Sequence, residues 1–267
     1  MSNDTAFSVE FIVFRFGLTR LGKFVSLPIL EKLKEQILKL TFIKQIIFDA
    51  DDTLWENNVY YVQATNDLLD LFEKAGLDRR QIQKEFDELE LYVVKERGYG
   101  SHNFVWILES LYERYKDLID RPTFEKIVDR FRKHPNRKPQ LFEGVIETLK
   151  YLKEKYHLYV LTKGEFKEQE LKIINSGVHQ IVDAYFIVPE KDDQVYREIL
   201  KQHHWKAEET CMVGNSPKSD INPALRVGMY AIHIPYRDTW KLDDEPIQKA
   251  DNRFFQLKKF TELKELF

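Results

Sequence analysis

The sequence has a single cysteine and few residues that interrupt secondary structure. Its 267 residues include one Cys, ten Gly and nine Pro. A lone thiol, Cys211, excludes a disulfide framework and any zinc site built on several cysteines, and it favours a reducing compartment. Because glycine and proline are scarce, we expect long helices and strands joined by short loops.

The chain also has little net charge. Its 41 Lys and Arg residues nearly balance 44 Asp and Glu residues, for a formal net charge of -3. Such a chain has no long-range attraction for nucleic acid or an anionic membrane, so we expect neither partner. With 43% apolar and 13% aromatic residues, it can bury the core of one large domain or two small ones.

Residues 1–41 lack a long uninterrupted apolar run, although they contain the most apolar stretch outside the candidate strands. Four charged residues interrupt that stretch: Glu10, Arg15, Arg20 and Lys23. A spanning helix needs about 20 consecutive apolar residues, and a secretory signal ends at small residues. We predict neither and expect a cytoplasmic protein. From Ser26 the apolar spacing predicts a helix that packs on the domain, with binding to a partner or membrane surface as the alternative.

From residue 45 onward, short apolar runs alternate with longer helical patterns. Runs that predict five strands lie at 45–48, 158–161, 184–188, 210–213 and 230–234. Helical patterns that separate the last four runs lie at 165–176, 193–203 and 219–227. Strands that alternate with helices are typical of a parallel sheet with helices on both faces, so the predicted fold class is α/β.

The segment 56–140 breaks this alternation. Apolar residues recur there at helical spacing with no strand between them. We interpret it as an all-helical insertion into a core formed by residues 42–55 and 141–267. Residues 1–41 are interpreted as a partly helical N-terminal extension.

Two carboxylates follow the first predicted strand, in the sequence FDADDTL. Asp49 and Asp51 lie at its carboxyl end, where open parallel sheets bind ligands. Two acids at this spacing can divide the work between a nucleophile or metal ligand and a general acid and base. Taken alone, the segment is explained more simply as an Asp-rich turn that caps a helix at Thr53.

Three further polar sites follow later strands. In the segment LYVLTKG the predicted strand ends at Thr162, whose hydroxyl suits a phosphate oxygen. Lys191 follows the third strand and can neutralise phosphate or developing negative charge. The fourth run leads into GNSPKSD, where Asn215 and Asp220 offer oxygen ligands to a divalent cation. We expect all these side chains at one edge of the sheet.

The segments FDADDTL, LTKG, EK and GNSPKSD resemble, in this order, the four motifs of the haloacid dehalogenase superfamily. The likeness covers roughly residues 45–240. It implies a Rossmannoid core, and it makes the helical insertion similar to the C1-type cap of this superfamily. The active site is then expected under that cap.

The resemblance also implies a reaction. Haloacid dehalogenases proper lack an acid at the position of Asp51, so its presence favours hydrolysis of a phosphate ester. By this resemblance, Asp49 attacks phosphorus to form an aspartyl phosphate, and Asp51 protonates the leaving alcohol and later activates water. Thr162 and Lys191 hold the phosphoryl oxygens. The expected activity is therefore that of a phosphatase.

Mg²⁺ is the cofactor that the resemblance implies, held by Asp49, the backbone carbonyl of Asp51, Asn215 and Asp220. The fourth motif of the superfamily usually begins Gly-Asp, whereas Asn215 follows Gly214 here. An Asn carbonyl can ligate magnesium but adds no negative charge, so we expect looser metal binding. The alternative is that Asn215 is a turn residue and leaves the metal to Asp220.

The substrate is expected to be a small soluble phosphate ester, such as a sugar phosphate or a nucleotide. Thr53 and Lys163, beside the motifs, are predicted to contact it. In the insertion, ERGYGSHNF at 96–104 interrupts two helical patterns, and a loop at such a place contacts the leaving group in C1-capped relatives. Arg97 would suit a second anionic group, and His102 would suit a hydroxyl or a base. An ordinary solvated loop is the alternative.

Two other functions are compatible with these motifs. A phosphomutase of the same superfamily would reuse the aspartyl phosphate, but it needs a cap that excludes water. A non-catalytic protein that binds a phosphate ligand in the same pocket is the alternative from another class, and Asn215 favours it. Nothing in the sequence indicates an oligomeric state.

Overall fold

The structure, a computed structural model, describes residues 42–133, 137–243, 245–248 and 252–267. The predicted N-terminal extension, residues 1–41, lies outside the described residues. The helix predicted after Ser26 belongs to that extension.

Six parallel strands form one open sheet. The strands are β1 (Gln45–Phe48), β2 (His157–Lys163), β3 (Ala184–Val188), β4 (Thr210–Gly214), β5 (Tyr230–His233) and β6 (Phe254–Gln256). Their order across the sheet is β3-β2-β1-β4-β5-β6. The α/β fold class is confirmed, and the five predicted strands are present. The short edge strand β6 was not predicted, because three residues give no detectable alternation.

Nine α-helices occur in the described residues. They are α1 (Asn58–Lys74), α2 (Arg79–Arg97), α3 (Ser101–Tyr115), α4 (Arg121–Arg132), α5 (Val145–Lys153), α6 (Phe166–Ser176), α7 (Asp193–Gln202), α8 (Asn222–Arg226) and α9 (Leu263–Leu266). Successive side chains of a strand point to opposite faces of its sheet. Accordingly, Ile46 and Phe48 of β1 share a core with α5, α6 and α9, whereas Ile47 shares one with α7 and α8. Helices therefore cover both faces of the sheet, as predicted.

Helices α1 to α4 lie between β1 and α5 and bury a separate apolar cluster. Phe72, Phe86, Phe104 and Phe131 contribute one large side chain from each helix. The apolar spacing predicts α1, α2 and α3 but not α4. The sequence does contain a start signal for α4, because its N-cap residue Asp120 accepts the Thr123 N–H. A cap of residues 56–140 on a core of 42–55 and 141–267 is our proposed division.

Strand β1 lies between β2 and β4. From β1 the chain adds β2 and β3 on one side of the sheet, and then β4, β5 and β6 on the other side. Phe48 pairs with Val160 of β2 and with Val213 of β4. The segments that follow these three strands therefore emerge at one edge, at the point where an open parallel sheet forms a crevice. Among the described residues, every helix is too short or too polar to span a lipid bilayer.

Candidate active site

Asp49 follows β1 directly and lines a cavity of about 170 Å³. Its Oδ1 accepts a hydrogen bond from Lys191 Nζ at 2.6 Å, and its Oδ2 accepts one from Thr53 Oγ1 at 2.8 Å. Burial and the nearby Asp220 carboxylate raise the pKa of Asp49 to about 7, although Lys191 and Thr53 oppose that rise. Two donors thus fix the orientation of a buried carboxylate in the cavity wall.

Lys191 lies between two carboxylates. Its Nζ is 2.5 Å from Asp220 Oδ1, in addition to its bond to Asp49, and the side chain is almost fully buried. Burial disfavours the ammonium form, but Asp220 and Asp49 more than compensate, so the pKa of Lys191 lies well above its usual value. The ammonium group therefore stays charged and is suited to bind a phosphoryl oxygen.

The turn after β4 holds Asp220 in place. Residues 217–221 form a single π-helical turn before α8, so the helix predicted over 219–227 is divided into two elements. Asp220 is fully buried, and its Oδ2 accepts the Ser216 N–H at 2.9 Å. A Cβ at Gly214 would lie 2.3 Å from this oxygen, so only glycine fits where the motif has it.

Asp51 has three hydrogen-bond donors around its carboxylate. Trp55 Nε1 donates at 2.7 Å, Gln169 Nε2 at 2.9 Å and Lys172 Nζ at 2.9 Å. Burial acts to raise the pKa of Asp51, but Lys172, Gln169 and Trp55 outweigh it, and the net shift is downward. Asp51 is therefore ionised at neutral pH in this arrangement.

Two of those donors, Gln169 and Lys172, come from α6, a helix that was not predicted to contribute to the site. Gln169 and Lys172 are each 5% exposed, whereas Phe166 and Ile174 of the same helix are exposed to solvent. Helical periodicity normally places apolar residues on the buried face. Because α6 buries two polar side chains and exposes two apolar ones, the apolar pattern does not identify the face of α6 that contacts the site. The available signal was Glu168 four residues before Lys172, a spacing that places both side chains on one face.

Asp52, which lies between Asp51 and Thr53 in the sequence, has a structural role. Its φ of 62° lies in the left-handed region, which Asp tolerates better than most residues. Its Oδ1 accepts the N–H groups of Asn57 and Asn58 at 2.8 and 3.0 Å. Burial, with help from the Asp51 charge, raises the pKa of Asp52 to about 8. This side chain closes the turn that leads into α1.

Thr162 and Lys163 end β2 at the cavity. Thr162 is buried, and both residues line the cavity. Lys163 Nζ lies 2.6 Å from Asp243 Oδ1 and 4.9 Å from the ring centre of Tyr99. Lys163 therefore connects the sheet edge with the segment between α2 and α3.

Neither Arg97 nor His102 lines the cavity. Arg97 ends α2, and its guanidinium lies 4.9 Å from the ring centre of Trp106; His102 is exposed. The loop between the two helices is only residues 98–100, because α3 already begins at Ser101. The residues of segment 96–104 that do line the cavity are Gly98, Tyr99, Gly100, Asn103 and Phe104.

Oxygen atoms that suit a hard divalent cation converge on Thr53. Its hydroxyl lies 2.8 Å from Asp49 Oδ2 and 3.3 Å from Asn215 Oδ1. A carboxylate and an amide carbonyl are ligands that Mg²⁺ accepts, with water completing its coordination. In the described part of the chain, no group of three His, Cys, Asp or Glu side chains is placed to hold a metal. Asp49 and Asn215 therefore bring one charged and one neutral oxygen atom together beside the Thr53 hydroxyl.

The family profile described as haloacid dehalogenase-like hydrolase matches residues 43–228. The chain is 28% identical over 203 residues to glyceraldehyde 3-phosphate phosphatase of Methanothermobacter thermautotrophicus, covering 72% of this chain and 85% of the relative. It is 29% identical over 231 residues to the phosphatase of the same name from Pyrococcus furiosus, covering 84% and 93%.

Solved structures show the same similarity. A haloacid dehalogenase-like family hydrolase from Xanthomonas campestris has a TM-score of 0.71 and 27% identity, covering 84% of this chain and 96% of that one. A dehalogenase with 16% identity has a TM-score of 0.57, covering 84% and 97%. Because a dehalogenase shares the fold, the fold alone does not distinguish one reaction from another.

Proposed function

This chain belongs to the haloacid dehalogenase-like hydrolase family, and we propose that it is a phosphatase that hydrolyses a small phosphate ester through Asp49. The observation that carries the proposal is the Asp49 carboxylate, held at the cavity by Lys191 and Thr53, with Asp51 two residues away. The relatives named glyceraldehyde 3-phosphate phosphatase and the small cavity support a small phosphorylated substrate.

In the first step, a carboxylate oxygen of Asp49 forms a bond to phosphorus while the bond from phosphorus to the leaving oxygen breaks. Lys191 and Thr162 hold the phosphoryl oxygens and offset the negative charge that develops on them. Thr53 keeps the Asp49 carboxylate oriented. The product of this step is an aspartyl phosphate on Asp49.

Asp51 moves the protons of both steps. It donates one to the leaving oxygen and then accepts one from the water that hydrolyses the aspartyl phosphate. Asp51 is ionised in the structure, which suits its role as the base that accepts a proton from water. A bound phosphate dianion favours protonation of Asp51 and so its role as proton donor to the leaving oxygen, because a nearby like charge raises the pKa of a carboxyl group. Since displacement of a halide leaves no oxygen to protonate, a positioned second acid favours a phosphate ester as substrate.

Mg²⁺ is the proposed cofactor. The Asp49 carboxylate, the Asp51 backbone carbonyl and the Asn215 side chain would hold it, and it would supply positive charge beside the phosphoryl group. We assign Asp220 a supporting role, because both of its oxygens already bind Lys191 and the Ser216 N–H.

We also propose the cytoplasm as the place of action. The single cysteine, Cys211, is buried and unpaired, as expected for a protein that folds in a reducing compartment.

Asn215→Asp should tighten magnesium binding. The substitution adds a negative charge beside the proposed metal position, and that attraction should lower the Mg²⁺ dissociation constant about tenfold. Isothermal titration calorimetry measures it directly, and the Mg²⁺ concentration for half-maximal activity should fall in parallel. An unchanged dissociation constant would place the Asn215 side chain outside the coordination shell.

Lys172→Met should lower kcat/KM for an alkyl phosphate about tenfold more than kcat/KM for p-nitrophenyl phosphate, because kcat/KM reports formation of the aspartyl phosphate and not its later hydrolysis. Lys172 holds the Asp51 carboxylate, and a strongly basic leaving oxygen depends on Asp51 for its proton, whereas nitrophenolate does not. Lys167→Met, at an exposed lysine of the same helix, is the control. A loss of stability alone would reduce both rates equally, so equal losses would exclude this positioning role.

The proposed activity is tested by phosphate release from a panel of about a hundred phosphorylated metabolites with magnesium. We expect turnover of small monoesters such as triose and sugar phosphates. Transfer of the phosphoryl group within a substrate, with no free phosphate, would identify a phosphomutase. Thermal stabilisation by phosphate without turnover of any ester would instead indicate a binding protein.

A further inference from the structure

We infer that the cavity selects phosphate esters whose leaving group is uncharged, and that acidic residues in its wall exclude substrates with a carboxylate or a second phosphate. This inference rests on the proposed function and narrows its substrate class. It concerns the part of the cavity beyond the phosphoryl group.

Every cation in the described lining of the cavity already has a carboxylate partner. The pairs are Lys163 with Asp243 at 2.6 Å, Lys172 with Asp51 at 2.9 Å and Lys191 with Asp49 at 2.6 Å. No arginine belongs to that lining, since Arg97 packs over Trp106 instead. A second anionic group on a substrate would therefore meet no uncommitted positive charge.

Three carboxylates in the lining form no ion pair among the described residues, and one of them, Asp52, accepts backbone N–H groups that close the turn before α1. Glu165 precedes α6, and its Oε2 accepts the Glu168 N–H at 2.8 Å. Glu90 projects from α2, and burial raises its pKa to about 7. Lys241, whose charge acts on Glu90, lies outside the lining and pairs with Asp87 at 3.3 Å. These carboxylates leave the wall with an excess of acidic groups.

The remainder of the wall on the side of α2 and α3 is largely apolar. Apolar lining residues there are Val93, Val94, Phe104 and Ile107. An anion placed against this surface would lose its hydration without gaining a cation, which is unfavourable. An uncharged chain of carbon atoms with a hydroxyl or aldehyde group carries no such penalty. The wall therefore discriminates by charge more than by size.

The test compares two esters that differ only in this charge. D-Glyceraldehyde 3-phosphate has an aldehyde where D-3-phosphoglycerate has a carboxylate, and p-nitrophenyl phosphate serves as a common reference. We expect kcat/KM for the aldehyde to exceed that for the carboxylate by at least about thirtyfold. Equal values would overturn the inference. Failure to release phosphate from all three esters would instead overturn the proposed function.

Variants of the wall test the cause of the preference. At pH 8, above the pKa of Glu90, Glu90→Gln removes a negative charge and should reduce the preference about fivefold. Val94→Lys introduces a cation and should reduce it further. Glu88→Gln removes the same charge from the exposed side of α2 and should leave both kcat/KM values unchanged. Melting temperatures identify any variant that fails to fold. If folded Glu90→Gln and Val94→Lys both keep the wild-type preference, the wall charge does not select the substrate.

Discussion

Asp49→Asn should reduce phosphate release by at least about a thousandfold, because loss of a covalent nucleophile removes most of an enzyme's rate enhancement. The amide keeps the size of the side chain but does not form the acyl phosphate. The measurement is kcat/KM for p-nitrophenyl phosphate and for the best natural ester, with magnesium at saturation. A rate within tenfold of the wild type would exclude Asp49 as the nucleophile.

The same variant should not be less stable, and this separates lost chemistry from lost structure. The pKa of Asp49 is raised from 3.8 to about 7 in the folded protein, so the stability that this group contributes falls as pH rises through that interval. Above it, the ionised carboxylate opposes folding, and a neutral amide removes that effect. In mildly alkaline buffer without magnesium, the melting temperature of Asp49→Asn should equal or exceed that of the wild type.

Asp51→Asn should reduce turnover of an alkyl phosphate at least about a hundredfold, within the range of general acid and base effects. Nitrophenolate leaves without a proton, so p-nitrophenyl phosphate should still phosphorylate Asp49 in this variant. Hydrolysis of the aspartyl phosphate then becomes limiting, because no base activates water. Rapid mixing should therefore show a burst of nitrophenolate equal to the enzyme concentration, followed by slow release.

Asp52→Asn provides the matched control for this prediction. It makes the same substitution at the adjacent residue, whose carboxylate accepts two backbone N–H groups that an amide oxygen can also accept. We expect less than about a threefold change in turnover and no burst. Similar losses in Asp51→Asn and Asp52→Asn would show that the whole turn, rather than one acid, determines the rate.

The parts of the site that follow strands could be predicted from the sequence. Apolar runs located β1, β2 and β4, and parallel strands end at the same edge, so Asp49, Thr162 and Asn215 had to emerge together. Side chains at the ends of buried strands are fixed by the sheet itself. The sequence motifs and the strand pattern therefore predict the same location for these three residues.

Residues on helices could not be placed in the same way. Lys172 reaches Asp51 across 121 residues of sequence, and only packing of α6 against the turn after β1 brings them together. Arg97 was predicted to face a substrate because a loop at this place contacts the leaving group in C1-capped relatives. Its guanidinium instead lies over the ring of Trp106, nine residues later, and does not line the cavity. A side chain near a helix end has several possible directions, and tertiary contacts decide among them.

The charge of the cavity was likewise not visible in the sequence. Glu90 and Glu165 belong to ordinary helical patterns, and the near-neutral composition gives no sign that both acids line the cavity. The substrate preference therefore follows from three-dimensional placement, whereas the reaction itself follows from motifs.

Chemical trapping can show whether hydrolysis proceeds through an aspartyl phosphate on Asp49. Asp51→Asn is mixed with p-nitrophenyl phosphate and magnesium, denatured during the slow phase and reduced with borohydride, which converts an aspartyl phosphate to homoserine. Mass spectrometry of the peptide that contains residues 45–55 should then find homoserine at Asp49, and none without substrate or in Asp49→Asn. Release of phosphate by the wild type with no homoserine at Asp49 in the trapped variant would show that hydrolysis does not proceed through an aspartyl phosphate on Asp49.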